Sequence, residues 1–357
     1  RAAARLESAD EGCCAADPGE EASAVAGERR RKEGNGARQS ESIFTWNIDG
    51  LRAFLKDAQR VNALDRLLHA RPLLLCLLEH KLQADEHASN AARQVLEAIA
   101  DRHGFDATWT FSPRAGLDGL VALVRRGQLD ACPYLQPIAL PVEPRLADDS
   151  CTAERRLLHV ELVGMHVLLV YAPNSGRAGR LAFRLDKWEP SVRELVRNLR
   201  NSKPVLLQGD LNVAHRRALD AWGTTDAQFG GYKASGRTRE EADAFDLLLA
   251  ECDMADGFRE LHPTERDGSA TCWAQKAAGA PAQREHWKRY DYALVSRALV
   301  DGGEVKLQLA EVRHCSSAFD GGRPDHLPVE STFTSSTLWS RWLLLEIDDV
   351  DEAFACW

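Results

Sequence analysis

Two apolar runs, residues 157–163 and 167–171, are separated by only three residues. That gap can close a hairpin but is far too short for the crossover helix that joins parallel neighbours, so antiparallel pairs must be present. Further apolar runs at 43–46, 73–78, 120–124, 205–207, 292–295 and 305–309 read as strands. Between them, residues 59–69, 90–103, 180–199 and 240–250 carry Leu, Val, Ala or Phe at three- and four-residue spacing and read as amphipathic helices. The pattern predicts mixed, largely antiparallel sheets covered by helices.

Composition narrows the class. The longest apolar run, 73–78, falls far short of the roughly 18 to 20 residues that cross a bilayer, so no membrane partner is expected. A formal charge of −9 argues against an indiscriminate polyanion binder, because phosphate affinity comes from Lys and Arg displacing counterions. It leaves room for a nuclease, since a carboxylate metal site is acidic until its cation binds. The nine cysteines are odd in number and form no CxxC pair, which fits a reducing compartment better than a disulfide framework or zinc ribbon. Residues 1–41 have almost no large apolar side chains and read as a disordered tail, with Arg29, Arg30, Arg31 and Lys32 a candidate nuclear localisation signal. The catalytic domain is expected over 42–335, and 336–357 as a C-terminal extension without chemistry.

The acidic and amide residues fall where predicted strands end. One strand runs into Asn47 and Asp49, others into Glu79, into Tyr171 and Asn174, and into Asp210 and Asn212. Strand ends hold side chains rigidly while facing a surface, which is where sheet proteins gather catalytic groups. Glu79 and Asp49 suit Mg²⁺, which prefers oxygen ligands and takes one or two carboxylates from protein. Asp210 and Asn212 at period two would point the same way on an extended backbone, one to activate water and the other to hold a phosphate oxygen. Each feature has a plainer reading: Asp49-Gly50 as a turn, Asp210 with Asn212 as an Asx turn, Asp325-His326 as a surface pair. Their conjunction in this order is what points to chemistry.

That conjunction resembles the exonuclease III-like class II AP endonucleases of the endonuclease/exonuclease/phosphatase family. The resemblance rests on FTWNIDGLRA at 44–53, CLLEHK at 76–81, VYAPNSGR at 170–177, GDLNVAH at 209–215, RYDYALVS at 289–296 and PDHLPV at 324–329. It implies an α/β four-layer sandwich of two packed mixed sheets flanked by helices. It further implies a Mg²⁺-dependent hydrolase, with Mn²⁺ as a substitute, acting as a monomer on double-stranded DNA with abasic sites. In such enzymes water attacks the phosphorus 5′ to the abasic sugar and leaves a 3′-hydroxyl, with 3′-phosphodiesterase and 3′ to 5′ exonuclease activity on the same site.

Carried over by position, Asp210 would position or deprotonate the water and Asn212 would stabilise the transition state. His326 would contact phosphate or act as base, oriented by Asp291. Tyr171 and Asn174 would hold the scissile phosphate, Arg177 the DNA backbone, and Trp287 a wall of the lesion pocket. The metal set implied is Asn47, Asp49, Glu79, Asp210, Asn212, Asp325 and His326. The pocket departs from the family: Cys272 replaces a central aromatic, Trp287 lies one residue further from Asp291, and Tyr290 replaces an aliphatic residue. A same-fold phosphoesterase on a non-DNA substrate and a weakened abasic-DNA-binding module stay as alternatives. A nuclear location is expected, with plastid or mitochondrion as the others.

Overall fold

A computed structural model of the chain describes residues 40–222, 235–273, 287–313 and 326–335. Residues 1–39 of the tail with its basic run, the C-terminal extension and Asp325 lie outside them, whereas Ser40 and Glu41, expected in the tail, begin a strand because they pair with Thr334 and Phe333. A six-stranded sheet holds β1 (Ser40–Asn47), β2 (Leu74–Leu78), β3 (Phe105–Trp109), β4 (Leu120–Arg125), β13 (Val305–Val312) and β14 (Val329–Ser335) in the order β13-β14-β1-β2-β4-β3. A five-stranded sheet holds β5 (Leu157–Glu161), β6 (His166–Tyr171), β7 (Val205–Asp210), β9 (Met254–Asp256) and β12 (Asp291–Ser296) in the order β5-β6-β7-β12-β9. A small third sheet, β10-β11-β8, joins β8 (Ala221–Trp222), β10 (Cys272–Trp273) and β11 (Trp287–Lys288).

Period-two alternation explains why strands buried on both faces read as unbroken apolar runs. In β2, Leu74, Cys76 and Leu78 face the second sheet and pack with Val167, Leu169 and Leu206. Leu75 and Leu77 face the other way, onto Leu64, Leu68 and Leu96 of the helices Ala58–His69 and His87–Arg102. On the far side, Leu168, Val170, Leu207 and Leu294 meet Trp188, just before the helix Glu189–Arg200, Val192 within it, and Phe245 and Leu248 of the helix Arg239–Glu251. The order is helix, sheet, sheet, helix: the expected four-layer sandwich.

Each of the two large sheets contains one parallel pair, β1 with β2 and β6 with β7, and antiparallel pairs elsewhere. Parallel neighbours deliver their C-terminal ends to the same edge. Asn47 and Glu79 therefore emerge together, as do Tyr171 and Asp210, and antiparallel β12 begins beside β7 with Asp291 opposite Asp210. The predicted 180–199 helix is instead two helical segments flanking a π-helical turn, Arg184–Trp188.

Candidate active site

The two sheets meet at the site through one amide. Asn47 Nδ2 donates to Glu79 Oε2 at 3.1 Å, from its own sheet, and to Asp210 Oδ2 at 3.0 Å, from the other. Its Oδ1 accepts from the backbone N–H of Asp49 at 3.1 Å, closing the turn after β1. Asp49 and Glu79 both have positive φ, 49° and 60°. That region disfavours side chains with a Cβ, Glu more than Asp, and such outliers concentrate at functional sites.

Asp210 does not share an extended backbone with Asn212, contrary to the period-two expectation. β7 ends at Asp210, and Asn212 adopts φ 50° because its N–H donates to Asp210 Oδ1 at 2.7 Å. This is the Asx turn, yet it still brings both side chains into the site. Asn212 Oδ1 accepts from Asn174 Nδ2 at 3.2 Å, while Asn212 Nδ2 donates to Ala172 O at 2.9 Å. Gly209, one residue before, has φ 145°, and a Cβ there would meet Val170 O at 2.0 Å, so only glycine lets β6 and β7 approach this closely.

His326 Nδ1 bonds Asp291 Oδ2 at 2.7 Å and presents Nε2 3.9 Å from Asp210 Oδ2. Its backbone carbonyl accepts from Trp46 Nε1 at 3.0 Å, which ties the segment before β14 to the core of the first sheet. Thr271 Oγ1 accepts from the backbone N–H groups of Tyr290 and Asp291, fixing the start of β12. Asp210 is 1% exposed. Burial first, then the charge of Asp291, hold its carboxyl well above the usual carboxylate range, with His326 opposing. Tyr171, buried beside Glu79 and Asp210, has its phenol pushed upward by burial and stays a neutral hydrogen-bond donor.

Asp210, Asp291 and His326 place ligand atoms within 4.8 Å of one another. Asp291 Oδ1 is buried and has no hydrogen-bond partner among the described residues. Buried carboxylate oxygens left in this state suit a cation or a bound water, so the donor set fits a hard divalent ion. Asp49 and Glu79 instead share the ammonium of Lys81, whose Nζ lies 3.2 Å from Glu79 Oε1 and also pairs with Asp49. The predicted metal residues thus form two neighbouring groups joined by Asn47, one of which holds an internal cation.

A cleft beside the cluster is lined by Glu79, Tyr171, Asn174, Arg114, Arg156 and Arg177, among others. Arg114 and Arg156 are engaged by Glu154 and Asp118, and Arg156 lies 4.9 Å from the Tyr171 ring centroid. Arg177 is exposed, with no acidic partner among the described residues. Trp287 enters β11, but its side chain lies outside the described set; Cys272 and Tyr290 are buried together beside Ala214.

Lys81, Arg156, Thr271 and Arg184 were missed as site residues. Lys81 had a visible signal, lying two residues from Glu79 within CLLEHK. Arg184 had none: it is 2% exposed, donates to Leu211 O at 2.7 Å, Asn212 O at 3.0 Å and Pro173 O at 3.4 Å, and pairs with Glu189 at 2.8 Å. One guanidinium braces the two loops that carry Asn174 and Asn212, and the π turn aims it inward.

A model of the endonuclease/exonuclease/phosphatase family matches residues 44–311. The chain is 27% identical over 289 residues to an exodeoxyribonuclease of Bacillus subtilis, a match covering 81% of this chain and 97% of that one. It is 30% identical over 273 residues to the DNA repair nuclease APEX1 of Danio rerio, covering 76% of this chain and 77% of that one. Among solved structures it superposes on the AP endonuclease LMAP of Leishmania major with a TM-score of 0.62 and 25% identity, covering 84% and 88% of the two chains.

Proposed function

Because the chain belongs to the endonuclease/exonuclease/phosphatase family, we propose that it is a DNA repair endonuclease that hydrolyses the phosphodiester 5′ to an abasic site and leaves a 3′-hydroxyl. One observation carries the reading: a buried carboxylate, Asp210, stands between an amide that donates to it and a histidine whose other nitrogen is held by a second carboxylate. A carboxyl group raised toward neutrality by burial is suited to take a proton from water. His326 and Asn212, flanking it, would meet the phosphate oxygens, and Tyr171 would supply a neutral donor. Amide, phenol and imidazole donors stabilise growing negative charge without the repulsion a carboxylate would add.

Mg²⁺ is the cation we assign, with Mn²⁺ as a substitute. Glu79 and Asp49 would hold it in place of the Lys81 ammonium, with Asn47 and Asp325 close by and the Asp210, Asn212, Asp291 and His326 group as the neighbouring donors; when bound, it would neutralise charge on the phosphate and the leaving oxygen. Arg177 would meet the DNA backbone. The weaker 3′-phosphodiesterase and 3′ to 5′ exonuclease activities would use the same residues, in a monomer whose catalytic domain spans 42–335.

The test is incision of a duplex carrying one tetrahydrofuran abasic analogue, in Mg²⁺ and in EDTA, for the parent and Asp210→Asn. We expect Mg²⁺-dependent cutting 5′ to the lesion that falls by about 10²-fold or more in the variant. Well-folded parent protein that cuts with neither Mg²⁺ nor Mn²⁺ would rule the endonuclease out.

A further inference from the structure

Lys288 is a partly buried lysine in the small sheet. It lies directly opposite Cys272 on one side and Ala221 on the other. Residues opposite each other in antiparallel strands share a face, so Ala221, Lys288 and Cys272 line up on one surface. Tyr290 and Ala214 pack with Cys272 and Ala221 there, and Lys288 Nζ stands 5.1 Å from the Tyr290 ring centroid. The backbone ties this patch to the reaction centre at three points: Tyr290 precedes Asp291, Cys272 forms a β-bridge with His326, and Ala214 follows Asn212 by two residues.

Lys81 and Lys203 each hold a carboxylate, whereas no acidic side chain lies within ion-pair distance of Lys288 among the described residues. Burial against apolar neighbours moves its ammonium below the usual lysine range, which enlarges the fraction present as free amine. An uncompensated, half-buried amine on an apolar wall next to a phosphodiester-cleaving centre is a poor phosphate clamp but a good carbonyl nucleophile.

Building on the abasic-site reading above, we propose that Lys288 captures the C1′ aldehyde of the ring-opened abasic sugar as a Schiff base. The aldehyde carbon lies a few bonds from the phosphorus that Asp210 and His326 address, and the lysine stem supplies further reach. Nζ adds to C1′, a proton passes from nitrogen to the former carbonyl oxygen, and the carbinolamine loses water to give the imine. Water adds back to release the sugar, so no oxidant or reductant is consumed. A nucleotide that keeps its base offers no such aldehyde. The imine therefore confers selectivity on a pocket whose central aromatic has become Cys272.

The experiment mixes the full chain, in EDTA, with a duplex carrying one natural abasic site and sodium borohydride, which reduces an imine to a stable amine. A parallel duplex carries tetrahydrofuran, which has no aldehyde. We expect a borohydride-dependent covalent protein–DNA band with the natural site and none with tetrahydrofuran. Peptide mass mapping should place the adduct on Lys288, and Lys288→Arg should lower its yield by about tenfold or more, since a guanidinium forms no stable imine. Absence of a band, or an adduct mapped to another lysine with unchanged yield in Lys288→Arg, overturns the proposal. Mapping the parent adduct needs no variant. Mg²⁺-dependent incision of the tetrahydrofuran duplex is scored separately: cutting without trapping defeats the Lys288 proposal alone, and trapping without cutting defeats the endonuclease reading alone.

Discussion

At the scale of single residues, the site is a set of charges compensated in different ways. Glu79 shares Asn47 with Asp210 and Lys81 with Asp49, so its carboxylate links the two acidic groups. Glu79→Gln keeps the shape and removes the charge, and should shift the Mg²⁺ activation curve of incision to about tenfold higher concentration or more. A titration of rate against Mg²⁺ that superposes on the parent's would contradict that role. Arg177 belongs to another class: exposed, without an acidic partner among the described residues, on the loop after Asn174. Arg177→Ala should raise KM for DNA at unchanged kcat and lower the slope of log KM against log salt by about one, the signature of one lost phosphate contact.

At the scale of elements, the β5–β6 hairpin carries a pair whose protonation can be read from its hydrogen bonds. Ser202 Oγ donates to Leu199 O, so it accepts from His166 Nε2 at 2.9 Å; His166 Nδ1 then accepts from His159 Nε2 at 3.0 Å. The His166 ring is satisfied only when neutral. Burial first, and the neighbouring His159 second, push His166 down to about 4. A histidine depressed on folding contributes stability that is fully present above its unfolded value near 6.5. That contribution drains away as the pH falls from there toward 4, up to roughly 3 kcal/mol. Urea unfolding at pH 7.5 and pH 4.5 should show the loss, reduced in His159→Gln, whose amide can donate to His166 without titrating. Equal losses in the two proteins would show that His159 makes no contribution to the loss.

At the scale of the whole molecule, the site exists because two sheets are held in fixed register at one edge. Gln208, fully buried in β7, donates to Ile43 O and Val329 O at 3.2 Å each and accepts from Ser331 Oγ at 2.6 Å. One side chain thus bolts the second sheet to β1 and β14 of the first, two residues from Asp210. Gln208→Leu matches the volume but strands those partners in an apolar interior. Unfolding free energy should fall by about 2–4 kcal/mol at constant m-value, with a lower kcat for incision. An unchanged midpoint would mean that packing alone aligns the sheets.

Sequence by itself determined most strands and helices of the two large sheets and the polar residues that end those strands, because these are written locally, while the four-layer sandwich followed from the family resemblance. Period-two runs made strands such as β2 and β6 visible, and strand-end acids and amides marked Asp49, Glu79, Asp210 and Asn212. Strands β3, β8, β9, β10, β11 and β14 were missed: the first five are short or mixed in polarity, and β14 carries Glu, Ser and Thr that only its neighbours make strand-like. Tertiary structure alone decided which charges share a partner. Lys81 on Asp49 and Glu79, Arg184 beneath the loops of Asn174 and Asn212, and Lys288 on the face of Cys272 are non-local facts. The physical reason is that the energy of a buried charge depends on the atoms around it after folding, and those arrive from strands distant in the chain.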